Sequence, residues 1–207
     1  MTLQIGQILD GKYRIIRELG SGSMGAVYEG ENVRIRRRVA IKVLLSGMAR
    51  RPDSVQRFER EAQAAGRIGS EHIVEVLDLG TLPDGGFYMV MEFLEGMTLS
   101  EHIRSKGRVN PREIVPIVQQ LLTGLEMAHE ARVIHRDLKP DNIFLVAEHA
   151  GQKNFVKILD FGVSKFNPLN ADDGGMYWGP LGLSIVCALF LMGWAFKYEG
   201  NRWETYF

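Results

Sequence analysis

The sequence predicts an α+β fold: a strand-rich first part, a helix-rich second part and an apolar tail. Three features carry that prediction. Apolar runs of strand length dominate up to about residue 94, and runs with the 3.6-residue repeat of a helix follow them. Charge is then unevenly spread: residues 1–165 hold 23 of the 25 basic and 21 of the 25 acidic side chains, whereas Gly174 to Phe196 carries no charge at all.

With 207 residues, 45% of them hydrophobic, the chain suits one globular domain with an appendage. Equal numbers of basic and acidic residues argue against a general electrostatic nucleic-acid binder, which needs a basic excess to displace counterions. The single Cys187 excludes an intrachain disulfide framework and a multi-cysteine zinc site. Met1 to Asp10 has neither a basic n-region nor an apolar h-region, so no secretory signal is read and the first part is expected in the cytoplasm.

From Tyr13 the chain alternates into Gly20-Ser21-Gly22-Ser23-Met24-Gly25 and continues through Val27 and Tyr28, a pattern of strand, glycine turn, strand. Gly20, Gly22 and Gly25 let backbone N–H groups approach phosphate oxygens, although the same string also suits a plain hairpin turn. A dinucleotide site would want a helix next, and the residues after Gly25 look extended. Val39-Ala40-Ile41-Lys42-Val43 reads as a buried strand with one lysine, whose ammonium needs anionic company. The following Asp53–Ile68 segment has Val55, Phe58, Ala62 and Ala65 at helical spacing and supplies Glu61 as the partner, with Glu59 as the acidic alternative.

Tyr88 to Leu94 reads as another buried strand, and Ser100 as the N-cap of a short helix beginning at Glu101. Asn110-Pro111-Arg112-Glu113 signals a longer helix with proline at its first position and a glutamate three residues after the cap. Its apolar face runs Ile114, Ile117, Val118, Leu121, Leu122, Leu125, Ala128, and Pro116 is expected to weaken or kink its first turns. His135-Arg136-Asp137-Leu138-Lys139-Pro140-Asp141-Asn142 comes next, then Asp160-Phe161-Gly162 after a strand at Val156 to Leu159. His72, His102, His129 and His149 show no zinc-ligand spacing.

These motifs, in this order, resemble those of a protein kinase, and Lys139-Pro140-Asp141-Asn142 is similar to the bacterial Hanks-type serine/threonine branch. The resemblance implies a protein-kinase-like fold: an N-terminal lobe with a five-stranded sheet and one helix, then a partial helical C-terminal lobe. It implies that Lys42, held by Glu61, grips the α and β phosphates of ATP beneath the Gly20–Gly25 backbone. Val27 and Ala40 would cover adenine from above and Phe144 from below, with Glu92 and Leu94 offering hinge backbone groups and Met91 behind as gatekeeper. Asn142 and Asp160 would hold Mg²⁺, Asp137 would take or orient the proton of a protein Ser/Thr hydroxyl, and Lys139 would offset charge on the transferred phosphoryl group.

The resemblance stops near residue 166, after the Asp-Phe-Gly motif: no activation segment and no Ala-Pro-Glu follow. Residues 10–166 are therefore expected to form an incomplete kinase domain, 167–175 a linker, 176–197 a transmembrane helix and 198–207 a short tail. The span has length enough, with Tyr177 and Trp178 at one end and Trp194, Phe196, Tyr198 and Trp203 at the other. A buried helix of a soluble domain is the alternative, because Pro180 and Gly182 would shorten the continuous helix to about 16 residues. Two functions fit: a membrane-anchored serine/threonine kinase, or a membrane-tethered, non-catalytic nucleotide-binding module.

Overall fold

The computed structural model describes residues 3–22, 25–44, 46–49 and 51–161, divided into two compact units. The first holds residues up to Gly69 together with Ile73–Glu95; the second holds Ser70–His72 and the chain from Gly96 onward. The expected linker, transmembrane helix and tail (167–207) lie outside the described residues. Among those that are described, no helix is long and apolar enough to cross a membrane.

In the first unit, β1 (Ile8–Leu9), β2 (Tyr13–Ser21), β3 (Gly25–Asn32), β4 (Arg37–Leu44), β5 (Val76–Thr81) and β6 (Phe87–Glu92) form an antiparallel sheet of order β1-β2-β3-β4-β6-β5. The sheet has six strands where five were expected, because Ile8 and Leu9 pair with Arg14 and Tyr13. Two residues are too short a run to show periodicity, so this strand leaves no signal in the sequence.

Alternation sorts the side chains. Ile15, Tyr28, Val39, Ile41, Val43, Tyr88 and Val90 are buried in one apolar cluster. Val27, Ala40 and Lys42 take the intervening positions. Tyrosine hydroxyls buried at the cluster's edge find carboxylates: Tyr13 donates to Asp78 (2.9 Å) and Tyr88 to Asp10. Burial, then the bond to Asp78 and the nearby carboxylate charges, push the Tyr13 phenol up to about 12.

After a short α1 (Ser46–Ala49), α2 (Pro52–Ile68) packs on β5 and ends where Gly69 adopts the left-handed conformation (φ 61°) that a residue without Cβ tolerates. Its buried stripe is Ser54, Phe58, Ala62, Ala64 and Ile68. The expected set is corrected at two places: Val55 and Ala65 are half-buried, and the seam runs through small Ser54 and Ala64.

The second unit contains β7 (Gly96–Thr98), α3 (Leu99–Lys106), α4 (Pro111–Glu130), a 3-10 turn (Pro140–Asn142), β8 (Ile143–His149) and β9 (Gln152–Ile158). Here β7-β8-β9 form a second antiparallel sheet. Helix α3 begins two residues earlier than expected. Thr98 is its cap: Thr98 Oγ1 accepts from the Glu101 N–H (3.1 Å), and the Glu101 carboxylate accepts from the Thr98 N–H (2.7 Å). Ser100 is buried in the first turn instead.

Asn110 caps α4 as expected, accepting from the Arg112 N–H at 2.9 Å. Glu113 does not close a capping box, because its carboxylate is engaged by Lys106 (2.7 and 2.9 Å) and His102 (2.9 Å) of α3. The helix runs through Pro116 without interruption. Ile117, Leu121, Leu125 and Ala128 are buried and Ile114, Val118 and Leu122 half-buried, the expected face.

Helix α4 packs on β9, whose outer backbone edge is covered by side chains and loop. Gln120 Oε1 accepts from the Val156 N–H (3.1 Å), His72 Nδ1 donates to the Val156 carbonyl (2.9 Å), and the His72 carbonyl accepts from the Ile158 N–H (2.8 Å). A buried strand edge left unpaired would be costly, so His72 and Gln120 act as a third partner for β9.

Candidate active site

In the first unit, cross-strand register assembles half of the expected residues. Val27 lies opposite Lys42, and Ala40 lies opposite both Glu29 and Met91, so these side chains share the sheet face turned away from the apolar cluster. Lys42 Nζ sits 2.7 Å from Glu61 Oε1 of α2, with side chains only 18% and 20% exposed. Glu61 rather than Glu59 is thus the partner, since it falls on the helix side that faces β4.

Just beyond β2 the Gly22 N–H donates to the Gly25 carbonyl at the start of β3 (2.8 Å); Ser23 and Met24 lie outside the described residues. The glycines have different reasons. A Cβ at Gly25 would stand 2.0 Å from the Val43 carbonyl oxygen, so the close approach of β4 requires glycine there. A Cβ on Gly20 or Gly22 would meet nothing within 4 Å, which leaves open space beside their backbone. At the end of β6, Met91 is buried, and the Glu92 N–H donates to the Glu75 carbonyl (3.0 Å) while its carboxylate accepts from the Glu75 N–H (2.8 Å). Leu94 follows, half-buried.

In the second unit the loop after α4 places His135, Asp137, Lys139 and Asn142 together. His135 is buried; its Nε2 donates to the Leu159 carbonyl (2.8 Å) and its ring lies 4.8 Å from that of Phe161. Its Nδ1 is buried without a partner among the described residues, and burial pulls the imidazole below its ordinary value of 6.5, so it is neutral and structural. Asp137 Oδ2 is shared by two donors, Lys139 Nζ at 2.9 Å and Asn142 Nδ2 at 3.1 Å, and Asn142 Nδ2 also reaches the Asp137 carbonyl (2.8 Å). The Asp137 hydrogen bond holds the Lys139 ammonium above its usual range. These bonds fix the Asn142 amide orientation, leaving its Oδ1 as an oxygen donor.

The Asn142 carbonyl accepts from the Leu159 N–H (2.8 Å), which ties the loop after α4 to the residue before Asp160. Arg136 (φ 61°) and Asp160 (φ 46°) are held in left-handed conformations that side chains with a Cβ rarely adopt, the kind of strain that collects at functional sites. Phe144, on β8 opposite Thr98 and Lys157, is half-buried. Gly162 lies outside the described residues.

The expected residues therefore form two groups: Gly20–Gly25, Val27, Ala40, Lys42, Glu61, Met91, Glu92 and Leu94 in the first unit, and Asp137, Lys139, Asn142, Phe144 and Asp160 in the second. Two residues that motif spacing passed over are Glu29 and Arg38. The signal for them was the alternation itself, which puts a carboxylate and a guanidinium on the face of Val27 and Ala40.

Comparison with known proteins agrees. Residues 13–173 match the family model for the protein kinase domain. The serine/threonine-protein kinase Pkn1 of Myxococcus xanthus is 45% identical over 75% of the chain, and PrkC of Bacillus subtilis 39% identical over 77%; the chain spans 22% and 24% of their lengths. Among solved structures, the kinase domain of PknI from Mycobacterium tuberculosis superposes with a TM-score of 0.70 at 27% identity, covering 92% of this chain and 75% of that one.

Proposed function

This chain belongs to the protein kinase domain family, and from that membership we propose that it transfers the γ-phosphoryl group of ATP to serine or threonine hydroxyls of proteins. The observation that carries the reading is the Asp137 carboxylate, held by Lys139 and Asn142 through one oxygen while 53% of the side chain remains exposed. A carboxylate so held keeps its second oxygen for an incoming hydroxyl. The hydroxyl oxygen bonds to the γ-phosphorus, the bond to the β–γ bridging oxygen breaks, ADP leaves, and the hydroxyl proton passes to Asp137. Lys139 offsets the charge on the moving phosphoryl group.

Lys42, kept in place by Glu61, binds the α and β phosphates, and the Gly20–Gly25 backbone covers them. Val27 and Ala40 pack on adenine, Met91 bounds it, and backbone groups of Glu92 and Leu94 bond its edge. Asn142 Oδ1 and the Asp160 carboxylate are hard oxygen donors of the type Mg²⁺ takes, and the ion would supply neutralising charge on the phosphates.

The test is transfer of labelled phosphate from ATP to the chain itself and to a generic protein, with Mg²⁺ and detergent. Transfer is expected, reduced about 10²- to 10⁴-fold in Asp137→Asn with nucleotide binding retained. ATP binding without any transfer in the wild type overturns the enzyme reading in favour of a non-catalytic nucleotide-binding module. We further propose that residues 176–197 anchor the chain in a membrane with the kinase part cytoplasmic, supported by the uncharged run from Gly174 to Phe196. Release of the full chain from membranes by alkaline carbonate would overturn that.

A further inference from the structure

We propose that Arg38 is a positioning residue that anchors the segment Phe93–Glu95 to the sheet and thereby sets the backbone groups that select the base of the nucleotide. The inference rests on the kinase reading for the identity of the ligand, and on geometry alone for the anchor.

The arrangement is a chain of charges running across three strands, β2, β3 and β4, to the segment after β6. Glu29 on β3 is a buried carboxylate, 8% exposed in its side chain, between two arginines: Arg17 of β2 at 2.8 Å from Oε2 and Arg38 of β4 at 2.9 Å from Oε1. Arg38 brings Nε and Nη2, the fork of its planar guanidinium, to the same Glu29 oxygen, Oε1 (2.9 Å each), which fixes its orientation. Its remaining Nη1 donates to Glu95, and its Cζ stands 4.0 Å above the centroid of the Phe93 ring.

One guanidinium thus engages the residue on each side of Leu94. On the other edge, Glu92 is fixed twice to the Glu75 backbone, and Arg37 reaches the Glu75 carboxylate (3.3 Å). The segment Phe93–Glu95 follows the end of β6 and belongs to no strand among the described residues, so these side chains take over from the ladder in holding it. Exposure of Arg38 does not make this a screened surface pair of little worth, because its first partner is buried and its contacts are several and concerted. A lysine at 38 could keep one charge contact but not the fork, the Glu95 bond and the ring contact together.

The experiment compares wild type, Arg38→Met, Arg38→Lys and Lys42→Ala in the full chain. It reads backbone hydrogen exchange at residues 92–96, and affinity for Mg·ATP and for Mg·tripolyphosphate, which has no base. The proposal expects exchange at 93–95 to quicken about tenfold or more in Arg38→Met. It expects ATP affinity to fall about fivefold to tenfold with tripolyphosphate affinity unchanged, and Arg38→Lys to lie between. Lys42→Ala should weaken both ligands. Unchanged exchange at 93–95 in Arg38→Met overturns the anchor, and equal weakening of ATP and tripolyphosphate overturns base selection in favour of a general structural role. A wild type that binds neither ligand overturns the kinase reading and base selection with it, while the exchange result still decides the anchor.

Discussion

The two groups of candidate residues are held by different physics. In the first unit Lys42 and Glu61 form a largely buried pair between a strand and a helix, so each is needed by the other. In the second unit Lys139 and Asp137 are about half exposed, and what fixes them is a web of bonds to backbone and to Asn142 in a loop with strained Arg136. A buried pair stabilises one arrangement and tolerates no vacancy. An exposed pair is screened and contributes little to folding, which leaves it available to a reacting group. Nucleotide grip and proton transfer would thus be built from elements of unequal rigidity.

The largest expected effect sharpens that contrast. Lys42→Ala should lose about 1–3 kcal/mol of folding stability, because the largely buried pair with Glu61 is broken, and should also lose most nucleotide affinity. Lys139→Ala should leave the unfolding midpoint nearly unchanged. Chemical denaturation of both variants checks the difference, and equal losses would erase the distinction between the groups.

Next come the glycines of the β2–β3 turn. Gly25→Ala should cost about 1–3 kcal/mol, since its Cβ would collide with the Val43 carbonyl. Gly22→Ala should stay within about 0.5 kcal/mol of wild type, with any loss confined to nucleotide affinity. Thermal unfolding and ATP titration of the pair separate a structural glycine from one kept clear for a ligand.

A smaller effect concerns pH. Burial lowers both His135 and His129 below the ordinary 6.5, so the native state resists protonation that the unfolded chain accepts. Below pH about 6.5 the unfolded state binds more protons, and stability falls as pH falls. His135→Gln, which keeps a donor for the Leu159 carbonyl, should flatten this acid loss in urea midpoints measured from pH 7.5 to 5.5. An unaltered slope would assign the loss elsewhere. The smallest effect is at α3: Thr98→Ala should cost about 1 kcal/mol and Ser100→Ala less, and the reverse order would restore Ser100 as the cap.

Most of the site was legible because its residues stand in local strings. Lys42 among Val39, Ala40, Ile41 and Val43 needs an anion wherever the strand lies, and Asp137, Lys139 and Asn142 are close in chain as well as in space. The strands around Tyr13, Val39–Val43 and Tyr88–Leu94 and the face of α4 follow from pattern, whereas β5, β7 and β8 were not read from it. Choices between near neighbours were less legible. Thr98 and Ser100 are both good caps, and the reciprocal Glu101 bonds decided for Thr98. Glu113 sits where a capping box would use it, but Lys106 and His102 claim it from another helix.

The sequence by itself determined the family, the strands around Tyr13, Lys42 and Met91, the helices α2 and α4 and the identity of the charged residues at the site, because each is written in a few consecutive positions or a short period. Only the tertiary structure decided that Glu61 rather than Glu59 meets Lys42, that Gly25 is required by Val43 while Gly22 is not, and that Arg38 links Glu29 to Phe93 and Glu95. Those outcomes depend on strand register and helix rotation, which bring together atoms many residues apart, and local pattern carries no information about such distances.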